Sequence, residues 1–259
     1  MMRRLAIAVV LATGLLTVAV VAQGEVYRQG NLRVSFDGRL LPRSLPRDHP
    51  APVTVHLDGS VGTLDGSRPP QLREMSVAMN RAGRLSVDGL PTCTAPQLQQ
   101  TSSEAAMDVC GDALVGHGRF AAKVDFADAP LIPAQGKVLV FNSRAGGKPA
   151  MLLHLFGSTP VRAAFVLPFK ITQNSKGEFG TVFSTKIPVL ASDLGYVTDI
   201  ELTIGRTYSY AGKRRSFLSA SCAAPAGFPG AIYQLAKTIF TFADGTHLTS
   251  RLTRDCVVR

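Results

Sequence analysis

Tryptophan is absent from the 259 residues, and all aromatics together make up 7%. This leaves few of the broad ring faces on which sugar-binding sites lean, with only Tyr208, Tyr210 and Phe217 grouped as partial substitutes. No G-x-S-x-G elbow occurs, nor any glycine-rich phosphate loop, dinucleotide fingerprint or EF-hand loop. No CxxC pair exists either, which argues against a redox dithiol or a zinc ribbon. Beyond Val21 no apolar run is long enough to cross a bilayer as a helix. The reading therefore starts without an enzyme or cofactor signature: no cofactor is expected, and the balance leans against catalysis.

What is present begins at the N-terminus. Arg3 and Arg4 precede an apolar run from Leu5 to Val21, and Val20-Val21-Ala22 supplies the small or branched residues of a cleavage site. This is the layout of a secretory signal peptide over residues 1–22, with retention as an anchor the competing outcome. Residues 23–259 then form a single β-rich domain, with a weak candidate boundary in the proline-rich stretch 42–52. The expected location is secreted or otherwise extracytoplasmic, at the cell envelope. The chain carries a net charge of +10, two units of which reside on Arg3 and Arg4. The charge is scattered, so it favours encounters with anionic envelope polymers or lipid headgroups without naming a partner, and it gives no specific pointer to nucleic acid.

Alternation of period two dominates the mature region. In 53–61, Val53, Val55, Leu57 and Val61 share a face opposite Thr54, His56, Asp58 and Ser60. In 114–126, Leu114, Phe120, Ala122, Val124 and Phe126 oppose His117, Arg119, Lys123 and Asp125. In 196–210, Tyr196, Ile200, Leu202, Ile204, Tyr208 and Tyr210 fall together. Asp-Gly pairs at 37–38, 58–59, 65–66, 88–89 and 244–245 read as turns. Three stretches, 138–141, 151–156 and 165–169, are apolar on both faces and belong mid-structure, covered by a second sheet or by loops. Together these predict an all-β fold, a large antiparallel β-sandwich or partly closed barrel. The last hairpin is specified further. A three-residue loop Ala243-Asp244-Gly245 with a left-handed glycine sets Phe240 opposite Leu248 and Ala236 opposite Leu252, which keeps apolar against apolar. It also turns Cys256 inward, toward Cys222.

The helical candidate lies between Cys93 and Cys110, where two capping boxes compete, Thr94-Ala95-Pro96-Gln97 and Thr101-Ser102-Ser103-Glu104. One continuous helix would hold these cysteines about 24 Å apart at ~1.5 Å rise per residue. A disulfide needs Cα atoms roughly 4.4–6.8 Å apart. A short helix starting at Thr101, with the preceding stretch doubled back, resolves the conflict. The expected bridges are Cys93–Cys110 and Cys222–Cys256, an arrangement suited to oxidising surroundings.

Candidate chemistry is sparse. His56 and Asp58 sit two apart on one strand face, but two ligands do not make a metal site; no metal is expected, and Asp125 and Asp128 read as a strand end and a turn. His154, within an apolar strand, reads as a satisfied core histidine, and His117 as a solvated one. Lys213, Arg214 and Arg215 are the one dense basic run, flanked by Tyr208, Tyr210 and Phe217. They read as an exposed hairpin tip with possible contact to an anionic surface.

Two stretches resemble known sequences. Cys93 to Phe120, with its Cys110-Gly111-Asp112-Ala113-Leu114-Val115-Gly116 centre, resembles a recurring segment of exported proteins from high-GC bacteria. So does Arg214 to Cys256, with Ser216-Phe217-Leu218-Ser219-Ala220-Ser221-Cys222, Pro225, Gly227 and the turn from Phe240 to Gly245. The resemblance implies a secreted, disulfide-bonded, β-rich protein and carries over no catalytic or binding residue. Three functions follow as expectations. The first is a non-catalytic exported protein that binds anionic envelope polymers. The second is a carrier holding a lipid or other apolar ligand in a β half-barrel, which requires a large enclosed apolar cavity. The third is a secreted hydrolase with a dispersed site, which requires a histidine bonded to Ser or Asp.

Overall fold

A computed structural model of the chain describes residues 25–125, 130–160, 162–189 and 195–259. The expected signal peptide, Phe126 and Asp128 lie outside the described residues. Among these residues, eighteen strands and two α-helices follow one another: β1 (Glu25–Gln29), β2 (Leu32–Leu41), β3 (Ser44–Leu45), β4 (Ala51–Pro52), β5 (Thr54–Thr63), β6 (Leu72–Asn80), β7 (Gly83–Leu85), α1 (Ala95–Leu98), α2 (Ser103–Cys110), β8 (Leu114–Val124), β9 (Ile132–Ala145), β10 (Lys148–Thr159), β11 (Ala163–Gln173), β12 (Phe179–Lys186), β13 (Gly195–Ile204), β14 (Thr207–Tyr210), β15 (Lys213–Ser216), β16 (Leu218–Ala220), β17 (Gly230–Phe242) and β18 (His247–Val258). Thirteen of these strands form one sheet in the order β1-β2-β5-β13-β8-β9-β10-β11-β12-β6-β17-β18-β3. All of its pairings are antiparallel except β3 on β18.

The sheet curls into a half-barrel, and glycine at points of close approach lets it do so. A Cβ on Gly118 in β8 would run into the Glu201 carbonyl of β13. The two margins of the rolled sheet then meet through side chains instead of a strand ladder. Tyr27 Oη accepts from Arg251 N at 2.9 Å, Glu25 Oε1 accepts from Thr253 N at 3.2 Å, and Arg254 Nε donates to the Gly38 carbonyl at 2.8 Å while its guanidinium pairs with Asp37.

Alternation places one set of residues inside, and the cross-strand register arranges them in rings. One ring runs Leu40, Val55, Ile204, Gly116, Val140, Leu153, Leu167, and the next Gly38, Leu57, Leu202, Gly118, Val138, Leu155, Phe165. One end of the roll is capped by a small sheet, β4-β16-β7, which packs Phe217 and Leu218 against Val53 and Val115. The Cys222–Cys256 bridge, with Cα atoms 5.7 Å apart, ties this cap to β18. The stretch 42–52 lies along the body, since β3 pairs with β18 and β4 with β16.

The both-face apolar strands are central as expected, but helices cover them, not a second sheet. Leu139, Phe141 and Leu152 point outward from β9 and β10 and are buried with Leu98, Ala106 and the Cys93–Cys110 bridge, whose Cα atoms are 5.5 Å apart. The first capping box forms, but the second, Thr101 with Glu104, does not, because Ser102 takes the N-cap and the Thr101 hydroxyl turns to the Leu98 carbonyl. Thr94 and Gln97 cap the single turn of α1, and α2 starts one residue later than expected, with Ser102 accepting from Ala105 N. The final hairpin has the expected register, Phe240 opposite Leu248 and Ala236 opposite Leu252, with Gly245 at φ +84°.

Two expectations are overturned. Asp37-Gly38 and Asp58-Gly59 lie inside β2 and β5, not at turns. The alternation continues through both pairs, and Gly38 is needed because a Cβ there would stand 2.9 Å from Leu252. The face shared from Tyr196 to Tyr210 also breaks. A bulge at Thr198 sets Val197 opposite Ala122 and Tyr196 opposite Lys123, which exchanges their faces, and Tyr208 and Tyr210 belong to the separate hairpin β14-β15.

Candidate functional site

The interior holds a cavity of about 230 Å³ whose lining is almost wholly apolar. Its walls are Val55 and Leu57 of β5, Met75, Val77 and Met79 of β6, Met151, Leu153 and Leu155 of β10, Phe183 of β12 and Ile200 of β13. One interior ring is short of side chains, and the cavity reaches it at Phe36, Gly59 and Ile200. Register carries that ring through Phe36, Gly59, Ile200, Phe120, Gly136, Gly157 and Ala163. Four of the seven have no side chain beyond Cβ. Phe120 lies across two of them, since a Cβ on Gly136 would stand 2.6 Å from its ring and one on Gly157 3.7 Å. On β5, by contrast, a Cβ on Gly59 would meet only Ile200 Cγ2 at 3.4 Å and the Ser35 carbonyl at 3.9 Å, so the void begins directly beyond it. Three methionines line the far wall and can repack around different shapes.

Such a void costs packing energy, about 24 cal/mol per Å³ in core-deletion series. An apolar cavity of roughly 150 Å³ stays dry and takes up small apolar molecules. Drug-sized pockets start at roughly 300 Å³. The void here fits a slender apolar group in preference to a bulky one.

The polar features lie at one edge of this space. Ser35 and Ser60 share a hydrogen bond of 2.6 Å, and with Thr198 and Asp58 they border the cavity where β5 and β13 part. Outside, register aligns Asp37, Asp58, Glu201, Arg119 and Lys137 across five strands. Arg119 binds Glu201 at 2.6 Å. Partial desolvation against the wall, then repulsion from Glu201 and Asp37, raises the Asp58 carboxyl above its ordinary range despite its exposure.

No family model, curated protein or solved structure matches the chain. The site is therefore read from its own geometry.

Three of the five histidines engage threonines. His56 Nδ1 lies 3.0 Å from Thr203 Oγ1 and His247 Nδ1 3.1 Å from Thr241 Oγ1. His154 Nε2 lies 3.0 Å from the Thr101 carbonyl and 3.2 Å from its hydroxyl. His154 is fully buried under the helical clamp, and its Nδ1 has no partner, so it is only half the satisfied core residue expected. Burial lowers its pKa. His117, on the outer face, is exposed. Among the described residues no group of three or more His, Cys, Asp or Glu is placed to hold a metal ion, and His56 and Asp58 stand as separate surface groups. Asp125 ends β8 in an ion pair with Arg68.

Of the basic run, Lys213 and Arg214 are exposed on β15. Arg215 is drawn in, 3.7 Å from Asp88 and over the Tyr210 ring at 5.6 Å. These residues sit on the hairpin that flanks the capped end, apart from the cavity. Sequence reasoning missed Gly59 and the cavity-facing methionines. A glycine at an inward position of an otherwise regular amphipathic strand was the available signal.

Proposed function

We propose that the protein binds a slender apolar molecule, the alkyl chain of a single-chain amphiphile, inside its half-barrel, and carries it through an aqueous extracytoplasmic space. The observation that carries this reading is the apolar void behind Gly59, walled by valine, leucine, isoleucine, methionine and phenylalanine and left open where Gly59 presents no side chain. A folded chain that leaves such a space forgoes dispersion and burial that a ligand restores. Two disulfides suit oxidising surroundings, and the apolar run behind Arg3 and Arg4 supports export. Among the described residues no helix is long and apolar enough to cross a membrane. The polymer-binding reading has less support, because Arg215 is engaged internally and only two of its three basic residues remain outward.

Uptake of the neutral apolar fluorophore N-phenyl-1-naphthylamine tests the proposal, together with native mass spectrometry of the exported protein. Saturable one-to-one uptake with a blue-shifted, enhanced emission is expected. A folded protein that neither takes up the probe nor carries a non-covalent apolar adduct overturns it.

A further inference from the structure

Resting on the carrier reading, we propose that the alkyl chain passes into the barrel between β5 and β13, tail first, and that an uncharged hydrogen-bonding head stays at this mouth beside Ser35, Ser60 and Thr198. The ladder between these strands runs from Ile204 opposite Val55 to Asp199 opposite Ser60 and then stops. Beyond it, Val61, Gly62 and Thr63 pair only with β2, while Gly195, Tyr196 and Val197 pair only with β8. The wall is thus unstitched over the last turn of both strands.

The bulge at Thr198 sits at the fork and does two things there. It ends the pairing with β5, and it reverses the faces of the residues before it, so that Val197 turns toward the cavity that a regular strand would have shown Tyr196. Val197 remains 38% exposed, so one apolar side chain touches both solvent and void. Besides inward residues the cavity boundary takes in Ser35, Asp58 and Ser60, which alternation places on the outer face, so the space lies against the wall at this point. Elsewhere a chain could enter only by breaking ladder hydrogen bonds; among the described residues, none joins β5 to β13 beyond Ser60.

The chemistry of the mouth selects the head. Its polar side chains are three hydroxyls and the Asp58 carboxylate, and among the described residues no Lys or Arg lines the cavity. A carboxylate or phosphate head seated at the Ser35–Ser60 pair would shed water and face Asp58, while the outward cations of this register, Arg33 opposite Gly62 and Lys123 opposite Tyr196, stand outside the cavity lining. A hydroxyl or ester head can exchange its water for the Ser35–Ser60 pair and the Thr198 hydroxyl.

The test uses a thiol placed at the fork after folding. All four native cysteines are in disulfides, so Thr198→Cys offers one reactive site that can be labelled with a bulky maleimide, the unlabelled variant serving as its own folded control. Stopped-flow uptake of N-phenyl-1-naphthylamine is expected to slow at least tenfold on labelling, and probe loaded beforehand to leave at least tenfold more slowly. Labelling Ile232→Cys, on the far outer face, is expected to change neither rate. In displacement, monolaurin is expected to compete at a concentration at least tenfold below laurate. Unchanged rates after labelling at residue 198 overturn the route, and equal or better competition by laurate overturns the head. Neither outcome touches the carrier reading, which fails separately if the folded wild-type protein takes up no probe.

Discussion

Replacing Gly59 by leucine is expected to make the protein more stable and to abolish ligand uptake at once. Gly59 lies between Phe36 and Ile200 in the depleted ring, and its Cβ direction meets nothing closer than 3.4 Å. The new side chain would enter the void. Burying a leucine contributes roughly 1.5–3 kcal/mol, and removing a strand glycine adds about 0.5–1 kcal/mol. Crowding against Ile200 costs on the order of 1 kcal/mol. The net is a gain of about 2 kcal/mol, or roughly 4–8 °C in Tm for a domain of this size. The comparison must use ligand-stripped protein, because a bound molecule stabilises the native state by mass action. Differential scanning calorimetry reads the first half of the prediction and N-phenyl-1-naphthylamine titration the second. A lower Tm with unchanged probe affinity would refute the reasoning, since it would mean that the leucine found no space and that the probe binds elsewhere.

His154 gives a pH prediction. Its native pKa lies below the ordinary value because of burial, so the unfolded chain takes up the proton first. The stability it contributes is complete above about pH 6.5 and is lost as pH falls through the depressed native value; His154→Gln is expected to flatten the difference between Tm at pH 7.5 and pH 5. Cys93→Ser with Cys110→Ser is expected to cost about 3 kcal/mol on the loop-entropy estimate, read by urea denaturation. It should raise hydrogen exchange in α1 and α2 while leaving probe uptake intact, because the clamp covers the outside of β9 and β10. Arg254→Met strands the Asp37 carboxylate at the margin where β2 meets β18; a loss of about 2 kcal/mol in denaturant unfolding is expected, between the surface and buried limits for an ion pair.

Much of this architecture was legible in the order of residues because it is local. The hairpin from Gly230 to Val258 follows from an Asp-Gly loop and the apolar partners it aligns, and the sulfur pairing follows from the reach of the chain between Cys93 and Cys110. The cavity was not legible. Whether Gly59 faces a void depends on what stands opposite it on β13, some 140 residues away in sequence, and on Phe36 beside it on β2. Alternation assigns each of these residues a face and says nothing of its neighbours around the ring. For the same reason Asp58-Gly59 reads as a turn when seen with its near neighbours only. The displaced face at Val197 was hidden similarly, since a bulge is a mismatch between strands and neither strand displays it alone.

The side-chain clasp between β18 and the β1–β2 margin has a consequence for how the molecule is made. β18 follows every other strand in chain order, and it contributes Arg251, Thr253 and Arg254 to the clasp and Cys256 to the second bridge. A chain that has emerged as far as His247 is a wide ribbon with two raw borders, each able to recruit a stranger's backbone. β18 acts as the fastening of a garment, closing those borders once it is in place.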